Sequence, residues 1–313
     1  MLKKTTDEAC VVCGKARLQP TGFSRDLGEL IEQWEAHVGE RFPEQTRSAY
    51  QSVGNIELFR CANCSTETFL PMVAGSDEFY AHITQNEYYI SDKWEFDFAI
   101  NEIVRDGART VFDYGCGSGN FLRRLMKGRD IRGIGYDPGA ADSGTADDAG
   151  FLRVKTLDLA ALGGTQVDAL CMFQVLEHVA DPFATLTEAL TLLKTGGLLI
   201  VAVPDNSGPI RHYPDALTNL PPHHVTRWRK ASMIALSERA GLKNAAIHFE
   251  WLPDYLWRMY LPVMVTKGAL PMLGRACNRL GLTTGLLNTL EWLGFKTLPF
   301  VPGHTMLMVC RKP

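Results

Sequence analysis

The sequence lacks an internal repeat, a low-complexity tract and any apolar run long enough to span a membrane, which excludes solenoid, disordered and membrane-spanning chains as its overall class. It also lacks an excess of charge. Its 32 basic and 35 acidic residues leave a net charge of -3. That gives no global attraction to phosphate backbones, so nucleic acid is not the expected partner. The opening stretch MLKKTTDEAC has two lysines but no apolar segment after them. Neither a secretory signal nor an N-terminal anchor is therefore expected, and the cytoplasm is the expected location. What remains is an ordinary globular composition, 46% hydrophobic and 21% charged, in 313 residues. That length accommodates one large α/β domain with a small appendage.

The cysteines are unevenly used. Four of the eight form two Cys-x-x-Cys pairs, Cys10 with Cys13 and Cys61 with Cys64, while Cys116, Cys171, Cys277 and Cys310 are scattered through apolar contexts as small fillers. Four thiolates complete a closed tetrahedral Zn²⁺ site, so residues 1–75 are read as a zinc-binding lobe. A redox role would need a Cys-x-x-Cys opening a helix after a strand, and that context is missing. Within the lobe, GELIEQWEAHVGERF has helical spacing.

Residues 76–107 are rich in aromatics and run into a helical pattern ending at Gly107, a cover for the larger domain. From Arg109 short apolar runs alternate with amphipathic helical ones, the pattern of βα units and a Rossmann-like parallel sheet. TVFDYG, IRGIGYD, DALCMFQ and LLIVAVPD read as strands; GNFLRRLMK, DPFATLTEALTLLK and KASMIALSERAG read as helices. Asp181-Pro182 starts the second of these helices, and Gly196-Gly197 stops it after Lys194. NAAIHFEW and HTMLMVCRK read as the last strands of a domain spanning 108–313. About fifty residues separate them, more than a simple connection needs, and residues from about 252 to 302 are read as a helical insertion. A lid over the substrate site is the favoured role for this Leu- and Met-rich segment. A peripheral membrane contact is the alternative, suggested by Arg258, Lys267, Arg275 and Arg279 among its apolar residues.

The sharpest motif is VFDYGCGSGNF. A strand ends at Asp113, and Gly115, Gly117 and Gly119 open a helix with G-x-G-x-G spacing, one residue shorter than the dinucleotide fingerprint. An acid two positions before the first glycine would repel a pyrophosphate but suits a ligand bearing an ammonium group, such as the methionine part of S-adenosylmethionine (SAM). Asp137, at the end of the next strand, can accept two ribose hydroxyls. Asp158 and Leu159 are assigned to the adenine.

The succession DYGCGSG, GYDP, DALCMFQVLEHVADP and LLKTGGLLIVAVPD resembles the class I SAM-dependent methyltransferases, in particular the ubiquinone-biosynthesis O-methyltransferase subgroup. The resemblance covers residues 88–311 and takes in PPHHVTRW and GHTMLMVCRK. It implies a seven-stranded sheet with one reversed strand, SAM as methyl donor, Phe173 and Gln174 bordering the cofactor, and Tyr89 reaching the SAM carboxylate. Glu177 and His178 of LEHV would face the same crevice.

Transfer to an oxygen or an acidic carbon needs a base, and histidine has the side-chain pKa nearest neutrality. His223 and His224, in a proline-stiffened loop, are favoured over His178. Glu177 and His178 alone are too few ligands for a metal site. Zinc lobes fused to SAM domains resemble both sugar C-methyltransferases and ribosomal RNA guanine methyltransferases. The many acidic residues of the lobe favour a small-molecule, sugar or lipid-linked acceptor over RNA. A non-catalytic SAM-binding protein is the third reading.

Overall fold

A computed structural model of the chain describes residues 6–15, 17–84, 93–138, 150–154, 156–157, 164, 166–253, 256, 259–260 and 302–313. The N-terminal part contributes β1 (Thr6–Ala9), β2 (Arg17–Asp26), α1 (Leu27–Val38), α2 (Glu44–Gln51), β3 (Asn55–Cys61), β4 (Glu67–Leu70) and α3 (Asp77–Ile83). Helix α1 starts where the Asp26 side chain accepts from Glu29 N–H and ends at Gly39 in the left-handed region, a stop that glycine adopts without steric cost. Its apolar stripe of Leu27, Leu30, Ile31 and Trp34 packs with Phe42, Phe69 and Phe79 in a core of its own.

The cover helix α4 (Trp94–Asp106) leads into the larger sheet. There follow β5 (Thr110–Tyr114), α5 (Asn120–Met126), β6 (Arg132–Tyr136), β7 (Leu152–Val154), β8 (Val167–Phe173), α6 (Pro182–Leu190), β9 (Leu193–Pro204), β10 (Thr226–Arg227), α7 (Lys230–Arg239), β11 (Lys243–Trp251) and β12 (Pro302–Arg311). Seven of these strands pair in the order β11-β12-β9-β8-β5-β6-β7, and β12 alone runs antiparallel to its neighbours. The expected α/β architecture with one reversed strand is therefore present.

Both faces of this sheet are covered, as parallel sheets require. Phe112, Leu170, Met172 and Val201 point to one face, where Leu186 of α6 and Met233 and Leu236 of α7 cover them. Val111, Ala169, Cys171 and Ile200 alternate to the other face, against Phe96 and Ile100 of α4 and Phe121 and Leu122 of α5. The order of strands reverses at β5, so the loop after it opens at the crevice where such sheets bind ligands.

One boundary differs from the sequence reading. Helix α6 stops at Leu190 instead of running to Lys194, and β9 already begins at Leu193. Leu190, Leu192 and Leu193 are all buried, and an extended chain buries that cluster where a helix would turn part of it outward. The Gly196-Gly197 pair then sits inside β9, at the register shift between its pairings with Val167 and Ala169.

The smaller sheet takes its last strand from far along the chain. Its order is β1-β2-β3-β4-β10, with Thr226 opposite Thr68 and Arg227 opposite Glu67. The next residue, Trp228, is fully buried and shares one apolar cluster with Cys10, Cys13, Phe59, Cys61, Met233 and Leu236. Arg239 ties α7 to the first cysteine knuckle by donating to the carbonyls of Val11 and Val12, and its guanidinium lies 3.7 Å from the Phe183 ring centroid. The late insertion falls almost wholly outside the described residues. Among the described residues no helix is long and apolar enough to cross a membrane.

Because Trp228 belongs to a core shared by both sheets, urea should unfold the chain in a single transition. Trp228→Ala should lower its stability by about 3–5 kcal/mol. Two transitions, of which the substitution moves only one, would show that the two sheets are independent.

Candidate active site

A cavity of about 720 Å³ opens at the switch point and extends from the glycine loop to the segment that follows β9. At the loop end, Gly115, Gly117 and Gly119 have φ of 78°, 48° and 82°. A side chain at Gly115 would lie 2.5 Å from Val175 Cγ2, and one at Gly119 2.4 Å from the Phe151 ring. The loop is braced by the neighbouring strand. Gly115 and Cys116 N–H donate to Tyr136 O at 2.7 and 3.0 Å, and Gly117 N–H donates to Asp137 Oδ2 at 2.7 Å.

Asp113 is 2% exposed, lines the cavity and has one carboxylate oxygen, Oδ1, buried without a hydrogen-bond partner. Burial, and after it the nearby charge of Asp137, push its pKa well above the ordinary carboxylate range. Such a carboxyl gains most from a cation delivered into the cavity, so the donor set fits the ammonium end of an amino-acid ligand. Asp137, Phe173 and Gln174 line the same wall. Gln174 adopts φ 55°, and its Nε2 donates to Glu95 Oε1 at 3.2 Å. Gly119 is the N-cap of α5 and fits against Phe151. Tyr89, Asp158 and Leu159 lie outside the described residues.

The far end is built on histidine. His178 follows β8, while His223 and His224 follow the Pro221-Pro222 pair, and the three rings meet with centroid separations of 4.5 to 4.7 Å. The backbone holds them together, since Val225 N–H donates to Glu177 O at 2.9 Å. His178 Nδ1 donates to the carbonyl of His223 at 2.7 Å. The Tyr80 hydroxyl lies 3.0 Å from that nitrogen and donates to the same carbonyl at 3.2 Å. His224 Nδ1 approaches Asn219 Oδ1 at 3.4 Å, and that oxygen also accepts from Asn206 Nδ2 at 3.1 Å. Burial lowers the His178 pKa to about 4 and those of His223 and His224 well below the imidazole range, and raises that of Glu177 to about 8.

Several wall residues had no readable signal in the sequence. Tyr80 comes from α3, Glu95 is a buried acid within the aromatic run of α4, and Tyr213, Tyr260 and His304 also line the cavity. The Tyr260 hydroxyl lies 2.8 Å from His304 Nδ1. Glu250 Oε2 accepts from His304 and Thr305 N–H at 3.1 Å each, pinning the start of β12 to the end of β11.

Apart from the cavity, Cys10, Cys13, Cys61 and Cys64 are all buried and their sulfurs lie within 4.8 Å of one another. The cross pairs Cys10–Cys64 and Cys13–Cys61 stand at 3.6 Å, far longer than a disulfide. Zinc–sulfur bonds of about 2.3 Å in a tetrahedron place sulfurs roughly 3.8 Å apart, so the four thiols fit that ion.

Glu250 allows a pH test. Burial raises its pKa to about 7 in the fold, from an ordinary value of 4.5. The folded state therefore holds this proton more tightly than the unfolded chain does. The stability it contributes is full below about pH 4.5 and is lost as pH rises through about 7. Glu250→Gln should accordingly show a smaller drop in Tm than the parent protein between those two pH values. Parallel Tm profiles would refute a buried, proton-holding Glu250.

The chain is similar to known methyltransferases. The family model described as a methyltransferase domain matches residues 81–247, just over half of the chain. A ubiquinone biosynthesis O-methyltransferase from Cereibacter sphaeroides (strain KD131 / KCTC 12085) is 33% identical over 115 residues, covering 34% of this chain and 45% of that protein. An uncharacterized methyltransferase from Mycobacterium sp. (strain JLS) is 29% identical over 173 residues, 50% of this chain and 67% of its own. The matches thus span about half to two thirds of these curated relatives. Among solved structures, a SAM dependent methyltransferase from Archaeoglobus fulgidus aligns with 69% of this chain and 94% of its own at 19% identity and a TM-score of 0.41. With the family match over half its length and, among the described residues, a seven-stranded sheet in which β12 is the one reversed strand, the chain belongs to the methyltransferase-domain family, among the class I SAM-dependent methyltransferases.

Proposed function

We propose that the chain transfers a methyl group from SAM to a hydroxyl oxygen of a small-molecule, sugar or lipid-linked acceptor. One observation carries the reading: a single cavity has the glycine loop and two carboxylates at one end and a wall of histidine and tyrosine at the other. When bound, SAM supplies a methyl group on a positively charged sulfur. Asp113 holds the amino group of its methionine part, Asp137 the ribose hydroxyls, and Phe173 and Gln174 border it. Transfer of this kind demands alignment and exclusion of water more than covalent help from the protein, and the buried side chains of the cavity wall favour both.

The acceptor hydroxyl must also lose its proton. His178, His223 and His224 are the cluster proposed to bring this about, and Tyr80, Tyr213 and Tyr260 flank the space where the acceptor would lie. A relative named as an O-methyltransferase supports oxygen over carbon as the atom that receives the methyl group. In this reading zinc, held by Cys10, Cys13, Cys61 and Cys64, is structural: it holds the knuckles onto which α7 is tied.

The first test is calorimetric titration with SAM and with S-adenosylhomocysteine, with zinc quantified on the same sample. Micromolar affinity for both, with at least one zinc per chain, is the expected result. Asp137→Ala removes a charged acceptor of two hydrogen bonds and should weaken SAM binding by at least about 100-fold. A folded protein that binds neither nucleoside would overturn the proposed activity.

A further inference from the structure

The histidine cluster has a feature that proton transfer does not require. One ring nitrogen from each of His178, His223 and His224 can be chosen so that all three lie within 4.8 Å of one another. The Glu177 carboxylate stands beside them, with Oε1 3.8 Å from His178 Nε2. Glu177 is fully buried, and neither of its oxygens has a hydrogen-bond partner. A buried carboxyl left in that condition is costly unless something positive meets it.

Hydrogen bonds to backbone and amide oxygens set the tautomers of His178 and His224. His178 Nδ1 is committed to donating to the His223 carbonyl, which leaves the lone pair on Nε2, the nitrogen next to Glu177. His224 is oriented in the same way. Asn219 Oδ1 already accepts from Asn206, so it is the amide oxygen that faces His224 Nδ1 and takes its proton, leaving Nε2 as the acceptor. Imidazoles that donate one N–H to a carbonyl or amide oxygen and keep the other nitrogen bare are arranged as metal ligands are.

We propose that His178, His223, His224 and Glu177 form a second metal site, distinct from the four cysteines, which binds a divalent transition-metal cation at the acceptor end of the cavity. Bonds of about 2.1 Å place the ligands of a tetrahedral site roughly 3.4 Å apart, so small side-chain rotations bring these groups into range. Imidazole nitrogen with one carboxylate suits Zn²⁺, Co²⁺ or Fe²⁺ better than the all-oxygen preference of Mg²⁺ or Ca²⁺. His178 and Glu177 line the cavity, so the acceptor can reach the ion.

For its chemistry, though not for ion binding, the inference rests on the methyl-transfer reading. The cation would bind the acceptor hydroxyl oxygen and lower its pKa, so that the proton leaves to water. The oxygen then forms its bond to the methyl carbon as the carbon–sulfur bond breaks, with the electron pair staying on sulfur. The three imidazoles act in this scheme as ligands, with no proton to take up.

The test uses the full-length protein with its cysteine site carrying zinc, titrated with Co²⁺ and read by absorption. One additional equivalent is expected, giving d–d bands of a nitrogen and oxygen site with no thiolate charge-transfer band. His178→Gln and Glu177→Gln should each weaken uptake at least tenfold, and Asn219→Ala about 10–100-fold through lost orientation of His224, the range typical of residues that support ligands. SAM affinity, measured on the same samples, should stay unchanged and certifies the fold. Absence of Co²⁺ uptake by protein that binds SAM would overturn the metal site while leaving the methyl-transfer reading intact. Uptake unchanged in both glutamine variants would also overturn it. Uptake by protein that does not bind SAM would support the site and remove the activity proposed for it.

Discussion

Residues 223–228 are hydrogen-bonded at once to the smaller sheet and to the loops beyond β8 and β9 of the larger one, and the histidine end of the cavity depends on that double attachment. Val225 N–H donates to Glu177 O beyond β8, while its own carbonyl accepts from Phe69 N–H on β4. Thr226 and Arg227 then pair with β4, and the Trp228 carbonyl accepts from Asn206 N–H beyond β9. A segment with its backbone committed on both sides cannot shift without breaking a ladder. The histidines at its start are therefore fixed relative to His178 and to the glycine loop.

This arrangement gives the N-terminal lobe a part in the site. Its cysteine knuckles pack on α7 and Trp228, its strand β4 holds β10, and α3, which follows it in the chain, sends Tyr80 to the carbonyl of His223. Trp34 of α1 adds an edge contact to the His223 ring at 5.5 Å between centroids. A metal held by the cysteines would thus stabilise the histidine wall from outside the cavity, which the four cysteines do not line.

Burial of charge is the other theme. Asp113, Glu95, Glu177 and Glu250 are each 3% exposed or less, and two of them have carboxylate oxygens with no hydrogen-bond partner. A hydrophobic core gains nothing from such residues. Three of them, Glu95, Asp113 and Glu177, line one cavity, where the ammonium of a methyl donor is the partner proposed for Asp113 and a cation among the histidines the partner proposed for Glu177. The two unsatisfied acids mark opposite ends of the same space.

Local pattern was enough to read the glycine loop and every described strand of the larger sheet except β7 from sequence. The strands β5, β6, β8 and β12 declare themselves as short apolar runs, and Gly115, Gly117 and Asp113 follow one of them within a few residues, so chain proximity alone places them at a strand end. The Cys-x-x-Cys spacing likewise brings together two ligands at a time. The end of α6 was misread because helical spacing cannot tell a last turn from the start of a buried strand when Leu190, Leu192 and Leu193 are all apolar. What the sequence by itself determined was the strongly apolar strands and amphipathic helices of the larger domain and the motifs whose members are neighbours in the chain. Only the tertiary structure decided that β10 completes the sheet of the N-terminal lobe, that His178 meets His223 and His224 across 45 residues, and that Tyr80 and Glu177 stand beside them. Those contacts come from the packing of one sheet against another, and no periodicity along the chain records which distant residues such packing brings together.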